Sequence, residues 1–289
     1  MFDKLVLHPL TARQLTQYAA EPAHAVLIAG PAGAGKGTLA QILAKHILGS
    51  TVSDANNDRI RHIEADEKGT ISIDAVRELR QFVRLKTTGT KEIRRAIIVE
   101  HADGMTTEAQ NSFLKLLEEP PRDTIILVTV NTLGSLLPTI RSRVQTITAQ
   151  TPSQEAITTF FSTSHNAKTV TQSYFLSGGL PGLMQALLTS DTKHPLLQSV
   201  AEAKEILQQP THERLLHIES LSKQKEGALS VFEALARMAQ AGLQQASQKQ
   251  DQKRMEQWHK INKAVFAAQQ QLAQNANLKL TLTNLLLQL

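Results

Sequence analysis

The chain is expected to fold as an α/β domain on a parallel sheet with helices on both faces, followed by helices alone. Short apolar runs at 25–29, 96–99 and 124–130 alternate with stretches of helical period through the first 150 residues. Apolar runs without polar alternation mark strands buried on both faces of a parallel sheet. The first run passes directly into GPAGAGKGT at 30–38, a glycine-rich turn of the kind that joins a strand to a helix. Beyond Thr151 the strand signal stops.

Residues 10–20 have helical character and lead into the strand AVLIA at 25–29. The glycine-rich turn opens a helix over 37–48 with Leu39, Ile42, Leu43 and Ile47 on one face. Residues 50–58 are polar and read as a loop, a short strand is expected over 61–65, and Lys68-Gly69 reads as a turn. Ser72 or Asp74 can cap the next helix, whose apolar positions Val76, Leu79, Phe82 and Val83 keep a helical spacing until TTGT at 87–90 breaks it. Thr106 is placed to cap a helix carrying Ala109, Phe113, Leu116 and Leu117. That helix ends before Pro120, because the residue ahead of a proline avoids the α region. Strands at 124–130 and 144–148 complete a sheet with right-handed crossovers, and residues 1–150 form one domain.

Three short helices, over 154–162, 169–176 and around Met184, Leu187 and Leu188, make a small helical domain spanning 151–193, with a polar linker at 192–195. Residues 194–289 carry helices over 196–208, 213–223, 229–248, 252–274 and 278–287. The stripes Leu229, Phe232, Leu235, Met238 and Ile261, Val265, Ala268, Leu272 read as the core of a helical bundle.

Composition narrows the function classes. The 289 residues are 41% hydrophobic and 20% charged, ordinary for a globular chain. With no cysteine, disulfides and thiolate zinc sites are excluded. The ten histidines are scattered without HExxH or comparable spacing, so no metal centre is expected. The amino terminus lacks the pattern of a leader, and no window approaches the roughly eighteen apolar residues of a membrane span. A cytoplasmic location without a membrane partner is expected. The net charge of +5 permits nucleic-acid contact without arguing for it. Seven basic residues, Arg77, Arg80, Arg84, Lys86, Lys91, Arg94 and Arg95, stand close together against Glu78 and Glu92. They read either as a solvated helix face with a polar loop or as a patch facing a phosphate backbone.

The loop at 30–38 suits an anion. Gly30, Gly33 and Gly35 allow dihedrals that curl consecutive amide N–H groups round a phosphate, and Lys36 adds a point charge for the β and γ phosphates. The candidate nucleotide-binding set is Gly30, Gly33, Ala34, Gly35, Lys36, Gly37 and Thr38, and a turn without a ligand is the alternative. The usual pattern puts Ser or Thr directly after the lysine to hold Mg²⁺. Here that place is Gly37 and the hydroxyl arrives one residue late at Thr38, which puts Mg²⁺ ligation in question.

Four segments, IIVEHADGMTTEAQNSFLKLLEEPP at 97–121, TIILVTVN at 124–131, LPTIRSRVQTI at 137–147 and SGGLPGLMQAL at 177–187, together resemble the AAA+ clamp-loader family, and the likeness extends over the whole chain. The resemblance implies an AAA+ domain over 1–150, a lid over 151–193, a helical collar over 194–289 that assembles with partner subunits, and ATP or ADP at the loop. Asn131 matches the polar sensor at the end of its strand, with a strand-end Asn bonding its own turn as the alternative. Active relatives place Asp then Glu where this chain has Glu100 and His101, and a lid arginine where it has Pro181. Imidazole is a poor replacement for a carboxylate base, so little or no turnover is expected of the chain itself.

Ser142-Arg143 resembles the family's Ser-Arg-Cys motif, with Val144 in place of the cysteine, and implies an arginine finger offered in trans to a neighbour's ATP. The four-cysteine zinc module common in such subunits is replaced by the polar loop at 50–58, so no zinc is expected. The partners implied are gamma/tau motor subunits, a clamp-opening delta subunit, the sliding clamp and primed DNA touched through its backbone, in a hetero-oligomer. Two rivals remain. One is an active gamma/tau-type ATPase. The other is a phosphotransferase like the nucleoside monophosphate kinases, which also write their loop GAGKGT but have no place for the helical half.

Overall fold

The computed structural model describes residues 2, 4–49, 59–66, 69–84, 92–189, 195–223, 225–274 and 276–289. Its first compact unit, Met1–Ser153, runs α1 (Pro9–Ala20), β1 (Ala25–Ala29), α2 (Lys36–Leu48), β2 (Ile60–Ile63), α3 (Ile73–Phe82), β3 (Arg95–Val99), α4 (Thr107–Glu118), β4 (Thr124–Val130), α5 (Pro138–Arg141) and β5 (Gln145–Thr148), with a 3-10 turn at Ala102–Gly104. The five strands pair in parallel in the order β2-β3-β4-β1-β5. Every residue of β1, β3 and β4 is buried, as continuous apolar runs require. The short outer strands β2 and β5 are partly exposed, which limits edge pairing.

Side chains of alternate strand positions leave opposite faces of the sheet, and each face has its own core. Leu27, Ile97, Val99, Ile126 and Val128 meet Val76, Leu79, Phe113 and Leu117. Val26, Ile28, Ile98 and Leu127 meet Leu15, Leu39, Leu43 and Leu48. Ser72 caps α3, its hydroxyl accepting from the Ala75 amide at 3.4 Å, and Thr106 caps α4 through the Ala109 amide at 3.1 Å. The short helix α5, not expected from periodicity, opens on Pro138 at its first position, where proline's fixed φ and missing N–H cost nothing.

The second compact unit, Gln154–Leu289, is α6 (Gln154–Ser162), α7 (Ala167–Ser177), α8 (Pro181–Thr189), α9 (Pro195–Gln208), α10 (Thr211–Arg214), α11 (His217–Lys223), α12 (Lys225–Gln248), α13 (Gln252–Ala273) and α14 (Leu278–Gln288). The lid expected over 151–193, apart from residues 151–153, and the collar expected over 194–289 fall within it. Arg237 of α12 donates to the carbonyl of Ser177 at the end of α7, at 3.2 Å.

The single helix expected over 213–223 is two. Arg214 turns back to donate through Nε to the carbonyls of Ile206 and Gln209 at 2.9 and 2.8 Å, satisfying the end of α9, and the chain breaks before α11. On α12 the buried face is Ala228, Val231, Phe232, Leu235 and Ala239, while Leu229 is 39% exposed. A 3.6-residue period starting at 228 leaves residue 229 at the edge of the apolar stripe. Ile261, Val265, Ala268 and Leu272 of α13 are buried as expected. The polar loop at 50–58, Lys68, the break at 87–90 and residues 192–194 of the linker lie outside the described residues. Among those described, no helix is long and apolar enough to cross a membrane.

Candidate nucleotide site and the arginine motif

Parallel pairing brings the carboxyl ends of β1, β3 and β4 to one edge of the sheet, where Gly30, Glu100 and Asn131 each follow directly. The Gly30 amide donates to the Val130 carbonyl at 3.2 Å. Gly33 and Gly35 hold φ of 85° and 81°, the left-handed region that only glycine enters freely. Gly35 then caps α2 with no side-chain hydrogen bond, so the first amides of a 13-residue helix stay available to an anion.

Lys36 is the first residue of α2 and is buried. Its Nζ donates to the Pro31 carbonyl at 2.9 Å and to Asn131 Oδ1 at 2.8 Å. Asn131 is oriented in turn by Asp103, which accepts from the Asn131 amide at 2.5 Å and from Nδ2 at 3.1 Å. Burial pushes the Lys36 ammonium below its ordinary pKa of 10.5, and the charge of Asp103 pulls it partly back. The lysine that would meet a phosphate is therefore already engaged, by the Pro31 carbonyl of its own loop and by Asn131 at the end of β4. The Asn131 side chain thus bonds Lys36 and Asp103. Asp103 was not among the residues picked from the sequence. The acid four residues after Val99, following EHA, is the one signal that marks it.

At position 37 the absent side chain has a structural counterpart. A Cβ built on Gly37 would run into the carboxyl group of Glu100, its Oε2 being the nearest atom. Thr38, the displaced hydroxyl, is exposed. His101 sits at φ 53° and ψ 48°, uncommon for a residue with a side chain, and its amide donates to Thr129 Oγ1 at 3.1 Å. Glu100 Oε1, the carboxylate oxygen farther from Gly37, lies 3.8 Å from His62 Nδ1. His62, Glu64 and Glu100 each offer one donor atom, all within 4.8 Å of one another. Sequence spacing missed this grouping, because it joins a strand's His-x-Glu to the end of the next strand.

Arg143 follows α5. Its guanidinium donates to the Thr139 carbonyl at 3.0 Å and to Ser142 Oγ at 3.3 Å, and pairs with Glu118 Oε1 at 3.0 Å. The side chain remains 38% exposed. Pro181 opens α8 in the second unit.

The basic stretch divides. Arg95 is buried, bonds both oxygens of Asp123 at 2.8 and 3.1 Å, and donates to the Phe82 and Val83 carbonyls at the end of α3. It therefore does not belong to a patch facing phosphates. Arg94 lies 3.6 Å from the same carboxylate, and Arg77 pairs with Asp74 at 2.8 Å. Arg84 is exposed, and Lys86 and Lys91 lie outside the described residues.

A family model described as DNA polymerase III, delta subunit, matches residues 9–153. DNA polymerase III subunit delta' of Pseudomonas aeruginosa is 30% identical over 210 residues, 66% of this chain and 63% of that protein. DNA polymerase III subunit gamma/tau of Mycobacterium bovis is 35% identical over 135 residues, 42% of this chain and 23% of that protein. The chain thus spans less than two thirds of the length of these relatives. Among solved structures, a DNA polymerase III gamma subunit-related protein of Thermotoga maritima, 18% identical, superposes with a TM-score of 0.54 over 96% of this chain and 97% of that one. That likeness is one of fold.

Proposed function

Because the chain belongs to the DNA polymerase III delta-subunit family of the AAA+ clamp loaders, we propose that it is a delta-prime-like loader subunit that lends Arg143 to a neighbour's ATP and hydrolyses little or none of its own. The observation that carries this reading is Glu100 lying against Gly37. The position that ordinarily supplies a Mg²⁺-ligating hydroxyl has no side chain, and a carboxyl group fills its space. The following residue, His101, is no carboxylate base, and Lys36 is held by Pro31 and Asn131. Phosphoryl transfer depends on positioning and charge stabilisation, so a site lacking these groups binds without turning over.

ATP or ADP would be held by the amides of 33–38 and by Lys36 once it leaves Asn131. Arg143 supports the second half of the reading. Its ion pair with Glu118 is partly exposed, and such pairs are worth only about 0–1 kcal/mol. A neighbour's triphosphate, with several negative charges, can displace Glu118 from the guanidinium. By resemblance the partners are gamma/tau motor subunits, a delta subunit, the sliding clamp and primed DNA met through its backbone, in a cytoplasmic hetero-oligomer.

Reconstitution with gamma/tau motor subunits tests this. Arg143→Ala should cut turnover at the facing site by about a thousandfold, seen as a fall in DNA-stimulated ATPase, while Lys36→Ala leaves the assembly's rate near normal. Brisk ATP hydrolysis by the purified chain alone would overturn it.

A further inference from the structure

β2 and β3 pair in parallel with His62 opposite Ile98 and Ile63 opposite Val99, and the Glu100 amide donates to the Ile63 carbonyl at 2.9 Å. This register brings Glu64 and Glu100 off the ends of adjacent strands side by side. His62, two residues before Glu64, shares its face of the strand. One donor atom from each of the three lies within 4.8 Å of the other two. Two carboxylates this close repel each other unless a proton or a cation intervenes. Among the described residues no lysine or arginine pairs with either carboxylate, and the neighbour within ion-pair reach is His62 itself, at 3.8 Å.

We propose that His62, Glu64 and Glu100 bind a divalent transition-metal ion, of the Zn²⁺ or Mn²⁺ class. One imidazole nitrogen and two carboxylate oxygens suit such ions, whereas Mg²⁺ favours oxygen alone. Metal–donor bonds of about 2.0–2.2 Å set donors roughly 3–4 Å apart, so the present spacing closes by side-chain rotation. The His62 and Glu100 side chains are 35% and 17% exposed, which leaves the ion open to water for its remaining ligands. The ion is distinct from a nucleotide's Mg²⁺. Glu100 offers Oε1 toward His62 while Oε2 faces Gly37. The site stands whether or not the chain serves a clamp loader.

The test uses the full chain, stripped with a chelator and free of nucleotide. Mn²⁺ binding is followed by its paramagnetic resonance signal and Zn²⁺ binding by competition with a chromophoric chelator. One equivalent should bind. His62→Ala and Glu64→Gln should each weaken binding at least about tenfold, and His46→Ala, which removes an exposed histidine elsewhere, should leave it unchanged. Should His62→Ala fold poorly by circular dichroism, Glu64→Gln, a change at an exposed side chain, decides alone. Absence of stoichiometric binding, or equal affinity in Glu64→Gln and the parent, overturns the proposal.

Discussion

The carboxyl group of Glu100 lies in the space that a side chain on residue 37 would occupy. The two departures from an active site, a glycine where a hydroxyl is usual and a glutamate where an aspartate is usual, are thus one arrangement. Gly37→Ser alone forces Glu100 to turn away, and Glu100→Asp withdraws the carboxyl by one methylene and makes room. The double variant should bind Mg²⁺-nucleotide more tightly than the two single changes add up to, with a coupling of about 0.5–3 kcal/mol. Nucleotide titrations with and without Mg²⁺ on all four proteins measure it, and simple additivity would separate the two positions.

Lys36 gives a pH signature. Its folded pKa lies below the unfolded value of 10.5 because burial disfavours the ammonium. The unfolded chain therefore binds more protons between the two values, and stability rises with pH across that window. Below the folded pKa both states are charged and the full cost of burying the ammonium is present. Lys36→Met should melt above the parent near neutral pH, with the gap narrowing as pH is raised toward 10.5. A gap that does not change with pH would mean the ammonium carries no burial cost.

Arg95 should matter through folding rather than through contact with a nucleic acid. It pairs with Asp123, caps two carbonyls at the end of α3 and lies 5.6 Å over the Phe82 ring. Arg95→Ala leaves a largely buried carboxylate without its main partner and should cost about 3–5 kcal/mol in denaturant unfolding. Arg95→Lys should recover only part of this, because an ammonium cannot fork between carboxylate and carbonyls.

Glu118→Gln should leave the isolated protein nearly as stable as before, losing less than about 1 kcal/mol for a partly exposed pair. With motor subunits present it should lower the ATP concentration for half-maximal ATPase, since Arg143 then has no carboxylate to leave. An unchanged ATP dependence would mean that the Glu118 pair does not compete with the neighbour's phosphates.

Much of this was readable along the chain because its cause is local. β1 and β4 lie at their expected bounds, since uninterrupted apolar runs between turn residues have few other uses in a domain of this size. The Thr106 cap and the glycines of positive φ follow from single-residue chemistry. Leu229 was misplaced because two helical phases one residue apart fit the same apolar positions, and neighbours choose between them. The break at α10 escaped because Arg214 responds to the carbonyls of α9, which local sequence does not reveal.

By itself the sequence determined the alternation of strand and helix, the glycine-rich loop at 30–38, and the residues Gly37, Glu100 and His101 that depart from the pattern of active relatives. Tertiary structure decided which charges meet: Asp103 behind Asn131 and Lys36, Arg95 turned inward, Glu118 on Arg143, and His62 beside Glu64 and Glu100. Backbone preference acts between neighbours in sequence, whereas Coulomb and hydrogen-bond energies depend on distances that strand register and helix packing fix only after the chain has folded.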